Sequence, residues 1–465
     1  MNPTLRSLLR PAPIAWLLVL ALTAIVLSVA IPADAAMGRG TTTLAGAIPG
    51  ETFGCSVASA GDVNGDSYAD VIVGAYQSGA GGVPTGRAYI YLGGPRADER
   101  PDVVLAGEAA GDAFGVSVAG AGDVNRDGFA DVVVGAYEND GRGANAGRAY
   151  VYFGGPQMDA RADAVFTGEA AGDAFGYAVA IAGDVNQDGY ADILVGAYEN
   201  SAAGAGSGRA YLFHGGAKLD GVPDAVLTGE AAGDRFGIAV SGCGDVNNDG
   251  FADVVVGAYQ NDDGGVDAGR AYVYFGAPRL GNRPNAVLTG AAAGDAFGFA
   301  VAGAGDVNHD GFADVVVGAY HNNAGGKDAG RAYVYYGGTT LSGGADVVFT
   351  GEVAGDAFGY AVAGVGDTNG DGFADVVVGA YGNDAGGSAS GRCYVYHGGA
   401  VADGIADVMI TGDGTLDNLG FAVAGAGDVD GDGFADAIVG APYSDAGRAY
   451  VAKNAGGKAR PVAAR

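Results

Sequence analysis

Apolar and polar positions fall into four short segments that return in the same order along most of the chain. The first, such as "GYAVAIAGD" near Tyr177, alternates and is rich in Ala and Gly, as a strand must be where backbones crowd toward an axis. The second, "ADVVVGAY", is apolar at consecutive positions, the pattern of a strand buried on both faces. The third, "GRAYVYFGG", alternates aromatic and aliphatic residues. The fourth, "DAVLTG", is short, as an outer edge strand should be. With 90 glycines in the chain, almost no helical period survives.

The set recurs at a fixed interval. Related acidic runs begin at Asp62, Asp123, Asp184, Asp245, Asp306, Asp367 and Asp428, with the same spacing between each and the next. Self-similarity at a fixed period marks a repeat array, and four short antiparallel strands per unit describe a propeller blade. The repetitive part opens with "TTTLAG", Thr41 to Gly46, which matches the fourth segment, and closes with "GRAYVAK", Gly447 to Lys453, which matches the third. The last blade is complete only if the N-terminal strand joins it. The predicted fold is therefore all-β, a closed seven-bladed β-propeller of four-stranded antiparallel blades over residues 41–453. An open solenoid needs atypical caps at both ends, and these residues leave no room for them.

The repeats resemble the FG-GAP repeats of integrin alpha-chain heads, named for a Phe-Gly pair before the first strand and a Gly-Ala-Pro after the second. The pairs here are Phe53-Gly54, Phe114-Gly115, Phe175-Gly176, Phe236-Gly237, Phe297-Gly298 and Phe358-Gly359, with Leu419-Gly420 in repeat 7. Only repeat 7 has the literal Gly440-Ala441-Pro442; the others read as Gly135-Ala136-Tyr137 does. The resemblance covers nearly the whole chain from Thr41 onward.

Charge narrows the function. A formal net charge of −30 with no basic stripe argues against nucleic acid as a partner. Of the 54 acidic residues, 22 lie in the seven acidic runs, and seven divalent ions there would bring the charge to about −16. At the N-terminus, Arg6 and Arg10 precede the apolar run Ile14 to Ile31, and Ala33 and Ala35 stand where a signal peptidase cuts. Residues 1–35 thus read as an export signal, an uncleaved anchor being the alternative. The mature chain is expected to be secreted or held at the cell surface, without membrane insertion after cleavage, and to end in a short basic tail, 454–465. Cys55, Cys243 and Cys393 take different places in their repeats, which suits buried small residues better than a disulfide framework.

The runs read D-x-N-x-D-G-x-x-D and place side-chain oxygens at positions 1, 3, 5 and 9. The residues are Asp62, Asn64, Asp66 and Asp70 in repeat 1, and Asp123, Asn125, Asp127 and Asp131 in repeat 2. Repeats 3 and 4 supply Asp184, Asn186, Asp188, Asp192 and Asp245, Asn247, Asp249, Asp253. Repeats 5 and 6 supply Asp306, Asn308, Asp310, Asp314 and Asp367, Asn369, Asp371, Asp375, and repeat 7 has Asp428, Asp430, Asp432 and Asp436. Several hard oxygen donors on one loop, with a glycine at position 6 for the sharp turn, suit calcium (Ca2+), up to seven ions in all. Ser67 replaces that glycine in repeat 1, which sets this loop apart. The loops are not EF-hands, because position 12 falls on Val73, Val134 and their equivalents rather than on a Glu. Resemblance to the integrin loops implies a further ligand, the backbone carbonyl at position 7, for example of Phe129.

No catalytic residue is expected. Seven equivalent carboxylate clusters argue against the one specialised pair that glycoside hydrolysis requires, and His214, His309, His321 and His397 share no pattern. The arginine of "GRAY", present in all seven repeats from Arg87 to Arg448, is expected to pair with nearby aspartates between blades. The tyrosines of the third strand should pack between blades. Ligand contacts belong where repeats differ, in the connections between second and third strands: "QSGAGGVPT" (Gln77 to Thr85), "ENDGRGANA" (Glu138 to Ala146) and their counterparts. In integrin heads these lie on the ligand-binding face, opposite the calcium loops. The resemblance thus implies an adhesion or recognition module with a protein or polysaccharide partner on that face. The connections carry few aromatic anchors, so no strong hot spot is expected there. A polysaccharide-active enzyme or lyase on a propeller, and a purely structural envelope protein, are the alternatives.

Overall fold

The computed structural model describes residues 40–79, 84–95, 97–402 and 404–453. Residues 1–35, read above as an export signal, and the basic tail 454–465 lie outside them. The described residues form 28 strands arranged as seven four-stranded antiparallel sheets, and no helix among them is long and apolar enough to cross a membrane.

Blade 2 serves for all. Its strands are Val118–Gly122, Asp131–Ala136, Arg148–Tyr152 and Ala164–Thr167, hydrogen-bonded in that order. The second strand is buried at every position, as its unbroken apolar run requires. The first strand faces the central axis, where its small residues let neighbouring first strands approach. It ends in a bulge, with the register shifting between Gly120 and Gly122, and the same bulge occurs in every blade. This bulge turns the chain into the acidic loop.

The hydrophobic core lies between blades. One cluster joins Ile72, Ile90 and Leu105 of blade 1 to Phe114, Val132, Val134, Tyr150 and Tyr152 of blade 2. Phe114 meets Tyr150 and Tyr152 edge-on, with centroids 5.4 and 6.5 Å apart. The third-strand tyrosines therefore pack between blades, as expected. Leu419 fills the place of the phenylalanine in blade 7. Blades also meet backbone to backbone: a Cβ on Gly135 would lie 1.9 Å from the carbonyl oxygen of Gly176 in blade 3, so only glycine fits.

Ring closure follows the sequence. Thr42–Ala45 pairs antiparallel with Arg448–Ala452, Thr42 opposite Val451 and Ala45 opposite Arg448, and completes blade 7. Leu44, Ile438 and Val451 then pack on Phe53, Val71 and Tyr89 of blade 1. Because successive strands run antiparallel, the acidic loops gather at one end of the ring and the second-to-third connections at the other.

Candidate metal centre and the opposite face

Each acidic loop is wound by its own backbone. In blade 2, Asp123 accepts the N–H of Asp127 on Oδ1 (3.0 Å) and that of Gly128 on Oδ2 (2.9 Å). Asn125 Oδ1 also accepts the Asp127 N–H (2.8 Å), and Asp127 Oδ1 accepts that of Phe129 (3.0 Å). Asn125 Nδ2 also donates to Asp127 Oδ2 (2.9 Å), so the side chains at positions 1, 3 and 5 are held by a shared hydrogen-bond network. The other loops repeat the pattern. In blade 7, where position 3 is also an aspartate, carboxylate oxygens of Asp428, Asp430 and Asp432 lie within 4.8 Å of one another. Lys453 Nζ stands 3.9 Å from Asp430 there.

Position 6 is left-handed in every loop, with φ of 93° at Gly128 and 74° at Ser67. A Cβ on Gly128 would meet nothing within 4 Å, so glycine serves conformation there, not space. Ser67 bears that strain in loop 1.

The ninth position is held differently. Asp131 is fully buried, and its two oxygens accept the N–H of Val124 (2.8 Å) and of Gly154 (2.8 Å). Among the described residues, no trio within 4.8 Å includes a ninth-position aspartate. Each oxygen keeps a lone pair beyond the one it uses. Burial, reinforced by Asp127 and Asp123, pushes its carboxyl up to about 7 against the two backbone N–H bonds. Burial likewise lifts Asp70 and Asp192 to about 6 and Asp253 and Asp314 to about 7. Among the described residues, no hydrogen bond ends on the carbonyl oxygen of Phe129 or of its counterparts at position 7.

The opposite end holds a polar bracket that the sequence reading missed. Buried Asp112, from the connection before Phe114, accepts a 2.8 Å bond from Nδ2 of buried Asn139, which also donates to the Tyr150 hydroxyl at 3.4 Å. Asn261 with Asp234 and Asn322 with Asp295 repeat it. Blade 1 exchanges lengths: Glu51 replaces the aspartate and Ser78 the asparagine, and Ser78 Oγ reaches Glu51 Oε2 at 2.7 Å. In these blades the connections vary around a fixed anchor, while in blade 7 Ser444 takes the asparagine's place and bonds the Ala441 carbonyl instead (3.2 Å).

The arginine expectation needs correction. Arg148, Arg209, Arg270 and Arg392 pair with Glu108, Glu169, Glu230 and Glu352, each from the connection that precedes the Phe-Gly pair of its own repeat, at 2.6–2.9 Å. A glutamate reaches across from this incoming connection; an aspartate side chain is shorter. Among these four, Arg270 adds an aspartate, Asp263 at 2.5 Å. The histidines do not converge: His214 and His397 lie near Asp224 and Asp407 (3.5 and 3.7 Å), while His321 lies on the connection face, 3.0 Å from Asp328. All three cysteines are free thiols, Cys243 and Cys393 buried and Cys55 half-buried.

Aromatic anchors are present after all, supplied by strand ends rather than by connections. A cavity of about 420 Å³ opens at the axis, lined by the residues that follow each Phe-Gly pair or, in repeat 7, Leu419-Gly420, among them Tyr177, Phe299, Tyr360 and Phe421. Tyr360 lies 4.9 Å from Phe299 and 5.0 Å from Phe421. Tyrosines just past the second strands back this crown, Tyr198 against Tyr177 (4.6 Å) and Tyr381 against Tyr360 (4.6 Å).

Comparison with known proteins agrees with this architecture. The family model described as FG-GAP repeat matches residues 53–91, 114–152, 175–213, 236–274, 297–335, 358–396 and 419–452, one match per blade. Among curated relatives, integrin alpha-5 of Xenopus laevis is 34% identical over 236 residues, 49% of this chain and 21% of that protein. Integrin alpha-IIb of Homo sapiens is 40% identical over 165 residues, 34% of this chain and 16% of that protein. The matched region therefore spans about a fifth of these relatives or less. The crystal structure of BBS1N in complex with ARL6DN, soaked with lead, shares the fold with a TM-score of 0.52 at 10% identity, covering 91% of this chain and 98% of that one. With a match in every blade, the chain belongs to the FG-GAP repeat family, and its seven-bladed propeller is integrin-alpha-like.

Proposed function

We propose that this is an exported, calcium-holding recognition module: the acidic loops bind calcium, and the opposite face, with the aromatic crown at its centre, takes a protein or polysaccharide ligand. In this reading residues 1–35 are the export signal, 41–453 the working domain and 454–465 a tail. The single observation that carries it is the donor set. Seven loops each fix side-chain oxygens at positions 1, 3 and 5 by hydrogen bonds, and the same loop carries a buried carboxylate at position 9 and a position-7 carbonyl with no donor among the described residues. Asp123, Asn125, Asp127, Asp131 and the Phe129 carbonyl would hold the ion in blade 2, and equivalent residues elsewhere. A divalent cation among oxygens of this type supplies the countercharge that a buried carboxylate near two others lacks.

Recognition is supported by kinship with integrin alpha chains and by the distribution of variation. The acidic loops are nearly the same in all blades, whereas the connections differ in charge: blade 4 carries Asp262, Asp263 and Asp267, blade 5 His321 and Lys327. The crown adds flat apolar area of the kind that anchors interfaces. The test is an array of glycans and matrix proteins probed with the purified mature chain, with and without a calcium chelator. Binding that is lost in variants of the connections or of Tyr360, with the acidic loops intact, is expected. Turnover of a polysaccharide, or binding that survives all such variants, contradicts the reading.

A further inference from the structure

The acidic loops touch one another around the whole ring. In every blade the N–H of the residue at position 8 donates to the backbone carbonyl of the first aspartate in the preceding blade's loop. Ala130 donates to Asp62 (3.0 Å), Ala191 to Asp123, Ala252 to Asp184, Ala313 to Asp245, Ala374 to Asp306 and Ala435 to Asp367, all within 3.2 Å. Ala69 closes the circle onto Asp428 at 3.1 Å, across the joint between first and last blades.

Each of these bonds belongs to a longer relay. The position-8 N–H shares its peptide group with the position-7 carbonyl. The carbonyl it meets shares a peptide group with the N–H at position 2 of the preceding loop. That N–H in turn donates to Oδ2 of the ninth-position aspartate: Val63 to Asp70 (2.8 Å), Val124 to Asp131 (2.8 Å), and so on to Val429 with Asp436 (3.0 Å). Two peptide groups and two hydrogen bonds thus connect a position-7 oxygen in one loop to a position-9 carboxylate in the loop before it, seven times over. Side chains add contacts along the same seam: Arg126 stacks over Tyr190 (5.8 Å), Gln187 Nε2 bonds the Gly250 carbonyl, and His309 meets Phe373 (5.6 Å).

We propose that the seven loops load calcium as a coupled ring and not as independent sites. The proposal rests on the calcium reading above. A cation on the position-7 oxygen polarises its peptide group and makes the N–H at position 8 a stronger donor. The bonded peptide of the preceding loop is polarised in turn, and its N–H holds Asp70 or its counterpart more firmly in the orientation of the loop. An occupied loop therefore favours occupation of the loop before it, and by thermodynamic reciprocity the effect runs both ways. Repulsion between neighbouring cations acts in the opposite sense, through solvent, and fades with salt.

Terbium, a luminescent trivalent stand-in for calcium, tests the coupling at one loop. Position 7 is tyrosine only in loops 1 and 3, as Tyr68 and Tyr190, and phenylalanine in the other five. The Tyr190 ring also lies over Arg126 of loop 2, so loop 2 is first disabled by Asp127→Asn, and in that background the terbium emission lost on Tyr190→Phe reports loop 3. Adding Asp249→Asn disables loop 4, bonded to loop 3 through Ala252 and Asp184; adding Asp371→Asn disables loop 6, which does not touch loop 3. Coupling predicts that the added D249N shifts the loop-3 midpoint about fivefold or more to higher terbium, while the added D371N shifts it less than about twofold, at raised ionic strength. Terbium and calcium uptake with a loop-3 midpoint unmoved by D249N overturns the coupling alone. Failure of the unaltered chain to take up calcium in calorimetry overturns the calcium reading and the coupling together.

Discussion

The two ends of the ring are built from the same blades under opposite rules. At the acidic end the side chains repeat almost without change, and successive loops are joined by a bond present in all seven positions. At the other end a buried Asp–Asn–Tyr bracket fixes the connection, while the residues outside the bracket change from blade to blade. Repetition marks what every blade needs for its own integrity. Variation over a fixed anchor marks where the molecule presents a distinct surface.

Removing calcium is the largest expected insult, because it strikes only the acidic end. If the loops bind as proposed, calcium at one to ten times a Kd typical of extracellular modules would stabilise the fold by roughly 0.4–1.4 kcal/mol per site. Chelation should lower Tm by on the order of 10 °C in scanning calorimetry, and an unchanged Tm would separate the loops from stability altogether.

The pH dependence sharpens the same contrast. Burial raises the ninth-position aspartates of blades 1 to 6 above an ordinary aspartate, Asp131 to about 7, so the folded chain holds their protons more tightly than the unfolded one. Without metal, the stability they supply is fully present below about pH 4 and is lost as pH rises through about 7. Urea unfolding of the metal-free chain should therefore show falling stability from these groups across that window, and saturating calcium should reverse the slope.

At the connection end, Asn139→Ala strips a buried partner from Asp112 and Tyr150 and should cost about 1–3 kcal/mol in urea unfolding, with calcium affinity unchanged. A change in calcium affinity there would show that the ends are not separable. The smallest effect belongs to Ser67→Gly. Relief of a left-handed serine should stabilise the chain by a few tenths to about 1 kcal/mol and tighten loop 1, visible as an increase in Tyr68-dependent terbium emission.

Much of this was legible in the sequence because the fold is periodic. The constant interval from Asp62 to Asp428, the unbroken apolar second strand and the unmatched strand at each end of the repeats suffice for a closed seven-bladed ring. The acidic loops were legible as oxygen donors at fixed spacing, and Ser67 as the irregular one. Their inter-blade bonds were not, since these run through backbone groups that carry no sequence signature. The Asp112–Asn139 bracket escaped because two polar residues on separate connections look like surface residues until the fold buries them. The aromatic crown escaped for a related reason: Tyr177, Phe299 and Tyr360 stand one position past a Phe-Gly pair, inside the repeated scaffold, where a search for variable loops does not look. The arginine partners were misplaced because the loops offered nearer acids in sequence than glutamates such as Glu108, which lies a whole connection and two strands before Arg148.

Isothermal titration of the metal-free mature chain with calcium tests the central claim most directly. Uptake approaching seven ions per chain, with Tm rising as the sites fill, is the expected result; no heat of binding and an unmoved Tm would contradict it.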